Sequence, residues 1–197
     1  MNFAATKARV FNRGVPTDDF LTTLVTCFRA LPDEIFAERP DPAPPNIDIY
    51  TKVRPALGPW LSLAQRRAGL AEALRVLGMF ESSDRWCEGA DATNPTEDNP
   101  ETKSAGVFQI SYNSRAFGQD LRDMLAARGI HDGDTFQARM KCDHPFAIEY
   151  AARLLRHTDR HNGPVHRHEI DPWLSRAAVA EFQGLLAGPS GLRPEGI

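Results

Sequence analysis

Residues 59–82 read PWLSLAQRRAGLAEALRVLGMFES. Leu63, Leu70, Leu74 and Leu77 recur at helical spacing and share one face, which predicts a helix starting near Pro59 or Trp60 and running to about Ser82. Arg66, Arg67, Glu72 and Arg75 fall largely off that face, on what is expected to be its solvated side. Glu81 comes eleven residues after Leu70, so at 3.6 residues per turn it returns to nearly the same face. A carboxylate that closes an apolar stripe, with Phe80 beside it, is directed toward the core side of its helix. The alternative is a frayed helix end with Glu81 turned out to solvent.

Outward from this stretch, the chain reads as helices separated by long polar connections. Thr17 is placed to cap a helix whose first turn carries Asp18 and Asp19 and whose stripe is Phe20, Leu24 and Phe28, with Leu21 and Val25 beside it. Pro40, Pro42, Pro44 and Pro45 then remove backbone donors and predict an extended connection. After the long helix, residues 83–103 form a polar loop rich in Asp, Asn, Pro and Thr, with room for a small β-hairpin. Short helices are predicted around 104–112 and 115–128, the second ending at Gly129. Asp143 and Pro145 open another, continued by Ala147, Tyr150, Ala151 and Leu154 and ended by Gly163-Pro164. Asp171 and Pro172 are expected to start the last, with Leu174, Ala178, Phe182 and Leu185 as its stripe and Gly188-Pro189 as its stop. No stretch shows the alternation of a sheet strand. The expected fold is therefore all-α. It forms one domain over 1–197: an N-terminal helix and Pro-rich connection (1–58), then a core (59–188).

Composition narrows the function. The chain has 197 residues, 42% of them hydrophobic and 25% charged, which is ordinary for a globular domain. A formal net charge of −3 supplies no field to attract nucleic acid or an anionic membrane, so neither nucleic-acid binding nor membrane insertion is expected. The start, MNFAATKARVFNRGVP, lacks the apolar stretch of a secretory signal, so the expectation is synthesis in the cytoplasm without one. Cys27, Cys87 and Cys142 are odd in number and widely spaced, and are expected to be free thiols. His157 and His161 stand at i, i+4, with His166, His168 and Glu169 following. That spacing can hold a metal, but the chain should break at His161-Asn162-Gly163 and no third ligand is fixed. No metal and no cofactor are expected.

The chemistry is expected at Glu81. Burial disfavours a charged carboxylate and so does the negative end of a helix, so Glu81 is placed to keep a proton and serve as a general acid. The loop beyond it holds Asp84, Glu88, Asp91, Glu97, Asp98 and Glu101 as candidates for a second carboxylate. Gln109 lies inside the apolar string Val107-Phe108-Gln109-Ile110 and needs a partner there, either a substrate amide or its own loop. Trp86, Tyr112 and Asn113 offer aromatic faces and an amide to a ligand, Trp86 equally serving as a loop anchor.

Three strings in order resemble the lysozyme-like superfamily of goose-type lysozymes and lytic transglycosylases. They are Phe80-Glu81-Ser82-Ser83, the string Ala105-Gly106-Val107-Phe108-Gln109-Ile110-Ser111, and His161-Asn162-Gly163, a partial match to a Tyr-Asn-Ala-Gly string. The likeness spans roughly 60–165; His161 departs from the family's tyrosine, and some 60 preceding residues have no counterpart. It implies a lysozyme-like helical domain acting as a peptidoglycan hydrolase of muramidase type, with Glu81 as acid. It also implies that Trp86, Tyr112 and Asn113 contact the sugar, together with Ser82, Gln109, Ser111, His161 and Asn162. Asp91, in Gly89-Ala90-Asp91, resembles a water-positioning aspartate of goose-type lysozymes. Asp91, Glu101 or no second carboxylate remain the three options for the base. A lytic transglycosylase and a non-catalytic phage-tail or secretion-apparatus component are the alternatives. The partners implied are glycan strands and a cognate inhibitor or immunity protein. The place of action would be the periplasm or cell wall, reached as a bacterial effector by a secretion system or through phage lysis.

Overall fold

The computed structural model describes residues 1–39, 48–90, 99–157 and 163–188. Among these residues the chain forms eight α-helices: α1 Asp18–Ala30, α2 Ile49–Lys52, α3 Arg54–Leu57, α4 Leu63–Ser82, α5 Gln119–Ala127, α6 Gly133–Cys142, α7 His144–Leu155 and α8 Arg176–Ala187. No strand forms among the described residues, and the fold is all-α, as expected. A lone antiparallel bridge joins Ala105 to Ile110. It lies just beyond the 83–103 loop, whose described parts contain no hairpin.

Local chemistry explains most helix starts. Thr17 accepts from the Phe20 N–H, Ser62 from Gln65, Asp132 from Thr135, Asp143 from Phe146 and Ser175 from Ala178. Three boundaries depart from expectation. The long helix begins at Leu63 because Ser62 caps it. Trp60 instead lies across Gly69, where a Cβ would come within 2.5 Å of its ring, and donates its indole N–H to the Tyr50 carbonyl at 2.8 Å. The last helix starts at Arg176, because Asp171–Trp173 forms a 3-10 turn and Leu174 is extended. Residues 104–111 are not helical: Gly106 (φ 73°) and Gln109 (φ 47°) both take the left-handed region and fold that stretch into a tight turn. The helix α6 had no counterpart in the sequence reading. The α7 helix stops at Leu155, well short of Gly163. The Pro40–Pro45 connection lies outside the described residues.

The largest correction concerns α4. It packs against α1, α2, α7 and α8 and is buried on every side from Ala68 to Met79. Glu72 and Arg75, placed on a solvated face by their spacing, are both fully buried. Arg75 grips Glu72 through two bonds of 2.6 and 2.8 Å. It also donates to the carbonyls of Ala8 at 3.1 Å and Trp173 at 3.3 Å, while Glu72 accepts from the Ser175 N–H at 2.9 Å. Burial pushes the Glu72 carboxyl up from its ordinary value, and Arg75 pulls against that. Nearby on α8, Glu181 accepts from the backbone N–H groups of Ala4, Ala5 and Thr6, so the N-terminal segment is latched to the C-terminal helix.

Removing one partner of such a buried pair strands the other charge, so Arg75→Met is expected to lose about 3–5 kcal/mol of stability in a urea titration. The double replacement Glu72→Leu/Arg75→Met should recover part of that loss; no recovery would mean that Arg75 acts mainly through the Ala8 and Trp173 carbonyls.

Candidate active site

The end of α4 is held, not frayed. Ser83 closes it in the left-handed conformation (φ 57°), its N–H directed at the carbonyls of Gly78 and Met79. Asp84 then accepts from the Thr17 N–H at 2.6 Å, which ties this corner to the start of α1. Ser82 is fully buried, and its hydroxyl donates to Val107 at 2.9 Å and Gly78 at 3.1 Å. It therefore seats the 105–110 turn on the helix end and does not face a substrate. Two glycines permit that approach. A Cβ on Gly78 would meet the Phe20 ring at 2.8 Å, and one on Gly106 would meet the Met140 carbonyl at 2.5 Å.

Glu81, half-buried, sits on a recess shared with Leu77, Phe108, Ile110, Leu154 and Gly163. About 10 Å³ of open space remains there, room for roughly one water. No sugar ring fits inside, so the recess is a dry backing for the carboxylate and not the substrate slot. Arg167 forms two hydrogen bonds with Glu169, at 2.8 and 3.1 Å, and its guanidinium is held protonated first by Glu169 and more weakly by the charge on Glu81. Nothing in the spacing of Arg167 pointed to Glu81, since 85 positions separate them.

The other candidate residues divide sharply. Glu101 is engaged by Arg115 at 2.7 Å and does not line the Glu81 recess. Gln109 donates from Nε2 to the Gly106 carbonyl at 2.9 Å, so its amide ties its own turn. The Ser111 hydroxyl and the Asn113 side chain bond each other at 2.7 Å, and Asn113 is exposed. Tyr112 is buried against Phe136, with the Arg115 guanidinium 3.7 Å above its ring, which makes it core rather than a sugar platform. Trp86 is an anchor: its ring stacks on His144 at 3.9 Å and 12°, and its buried indole N–H finds no partner among the described residues. Asp91, His161 and Asn162 lie outside the described residues.

An aromatic cluster beside Glu81 escaped the sequence reading. Phe11, half-exposed in a left-handed turn (φ 47°), lies 6.0 Å from both Phe80 and Trp173. Its only sequence signal is an aromatic residue three positions before Gly14. The histidines form no metal cluster among the described residues. His157 instead bonds Asp120 at 2.8 Å. No protein-family model, curated protein or solved structure matches the chain.

Losing the Ser82 hydroxyl leaves the buried Val107 carbonyl without that donor, so Ser82→Ala is expected to cost about 1–3 kcal/mol by chemical denaturation. For Asp120, burial pushes the carboxyl up, but the hydrogen bond and charge of His157 outweigh it and the folded value is lowered. Its stabilisation is therefore present above the unfolded value, near pH 3.9, and is lost as pH falls through the folded one. The stability gap between wild type and Asp120→Asn should be fullest at about pH 5 to 6, shrink as pH falls through about 4, and close below that.

Proposed function

We propose that this chain is a peptidoglycan glycan-strand hydrolase of muramidase type, with Glu81 as its general acid. The observation that carries the reading is convergence. Glu81, Phe108 and Ile110 of the Gly106–Ile110 string, and Gly163 of the third string meet at one recess, although they lie far apart along the chain. Those are the three pieces on which the lysozyme-like resemblance rests, and the resemblance requires them to share a site. An apolar backing keeps water from one side of the carboxylate, and the Arg167 guanidinium interacts with its charge. Glu81 would donate that proton to the glycosidic oxygen as the bond to the departing sugar breaks. The Phe11–Phe80–Trp173 cluster starts one residue before Glu81, about 100° around the helix, and offers ring faces for a neighbouring sugar.

A second reading, a lytic transglycosylase, draws support from Glu101. Its carboxylate is occupied by Arg115, which removes one candidate base and leaves Asp91 to carry hydrolysis. A transglycosylase needs no base for water, because a hydroxyl of the sugar itself attacks.

Purified protein is expected to clear a peptidoglycan suspension, and Glu81→Gln to lose at least ~10²–10⁴ in rate with an unchanged circular-dichroism spectrum. Digestion by Glu81→Gln at the parental rate would end the assignment. Mass spectrometry of the fragments separates the two chemistries, since anhydro products are lighter by one water. Hydrolysis predicts free reducing ends and a loss of ~10²-fold or more in Asp91→Asn. Chelation should leave cleavage intact; complete, zinc-reversible loss would return the histidines to the site.

A further inference from the structure

Residues 86–89 lie directly over the junction of α6 and α7. Trp86 stacks on His144, the Cys87 thiol approaches the Lys141 carbonyl at 3.9 Å, and a Cβ on Gly89 would stand 3.9 Å from the Lys141 ammonium. Cys142 follows Lys141 and ends α6. Across a trans peptide the Cys142 Cα sits roughly 3 Å from the Lys141 oxygen, so the Cys87 sulfur is within roughly 7 Å of that Cα. A disulfide needs its two Cβ atoms about 3.5–4.5 Å apart, so closing it takes a turn of the Cys142 side chain together with a shift of the backbone that carries Cys87. Both thiols are exposed. The Cys142 thiol now rests on the Ala138 carbonyl at 2.9 Å, a contact broken by turning one side chain, and Asp143 has already left helical geometry. Cys27, the third thiol, is buried, and burial together with the charge of Asp143 keeps it protonated.

We propose that Cys87 and Cys142 form a disulfide when the folded chain meets an oxidising disulfide, stapling the start of the 83–103 loop to the α6–α7 junction. The chemistry balances with oxidised glutathione as the oxidant. One thiolate attacks its disulfide and releases a glutathione thiolate. The second cysteine thiolate then attacks the protein sulfur of the mixed disulfide and releases the other. One S–S bond forms in the protein, the S–S bond of oxidised glutathione breaks, and two cysteine thiols lose two protons and two electrons to yield two glutathione thiols. The link closes a long stretch of chain that contains most of the polar loop, and it therefore restricts the unfolded chain. The proposal is independent of the glycan reading.

The test uses the reduced full-length protein in glutathione buffers. Titratable thiols should fall from three to one, the mass should drop by about 2 Da, and proteolytic mapping should return a Cys87–Cys142 peptide. The pair should close at a reduced-to-oxidised glutathione ratio, [GSH]²/[GSSG], at least ~10²-fold higher in the folded protein than in concentrated guanidinium, because the fold supplies the proximity. Oxidation should raise Tm by several degrees, and Cys87→Ser and Cys142→Ser should each abolish the rise, whereas Cys27→Ala should keep it. Three thiols persisting, glutathione adducts in place of a cross-link, a cross-link to Cys27, or an equal ratio in denaturant would each overturn the proposal.

Discussion

Everything in this fold depends on a helix with no outside. Because α4 is covered on all sides from Ala68 to Met79, its two inward charges have no water to fall back on, and Glu72 and Arg75 must satisfy each other and be satisfied in turn. Arg75 reaches the carbonyls of Ala8 and Trp173, and Glu72 takes the Ser175 N–H, so the pair draws the N-terminal segment and the start of α8 against the centre of the helix. A buried ion pair adds little net stability over an apolar substitute, but it fixes which segments can sit beside it. Here it fixes the two segments that flank the last turns of α4, and hence the angle at which Glu81 emerges.

The same constraint explains the character of the site. Phe20 crosses Gly78, the 105–110 turn crosses the helix end, and Ser82 bonds the turn from beneath. Glu81 is therefore presented by a rigid floor in which each contact is backbone or core. Its electrostatic surroundings come from elsewhere: Arg167 arrives on the 163–171 segment, which also supplies Gly163 to the recess. The position of Glu81 and the nearest charge acting on it thus come from separate parts of the chain.

What was legible in the sequence was what local chemistry decides. Thr17, Asp143 and Pro145 mark their helix starts because caps act over three residues, and the stripe Leu70-Leu74-Leu77 names the buried helix. Gly133–Cys142 was illegible because only Phe136 and Met140 stand out as apolar within it. Gly106–Ile110 read as helix because an apolar run does not disclose that Gly106 and Gln109 both turn left-handed. The burial of Glu72 and Arg75 could not be read at all, since their partners Ala8, Trp173 and Ser175 are distant in sequence. Likewise the candidate sugar contacts Ser82, Gln109 and Tyr112 had the right chemistry, but their polar atoms or ring faces are taken by the protein itself.

The bond from Ser175 to Glu72 has a consequence for how the chain is made. Synthesis runs from the N-terminus, so α4 leaves the ribosome about a hundred residues before the donor that one of its carboxylate oxygens requires. Until then the helix can collapse onto α1, but its interior charge stays incompletely satisfied, and Ala4–Thr6 still wait for Glu181. Completion of the core is thereby deferred until α8 has been made, and a chain that stops before residue 175 lacks both the Ser175 donor and the Glu181 acceptor.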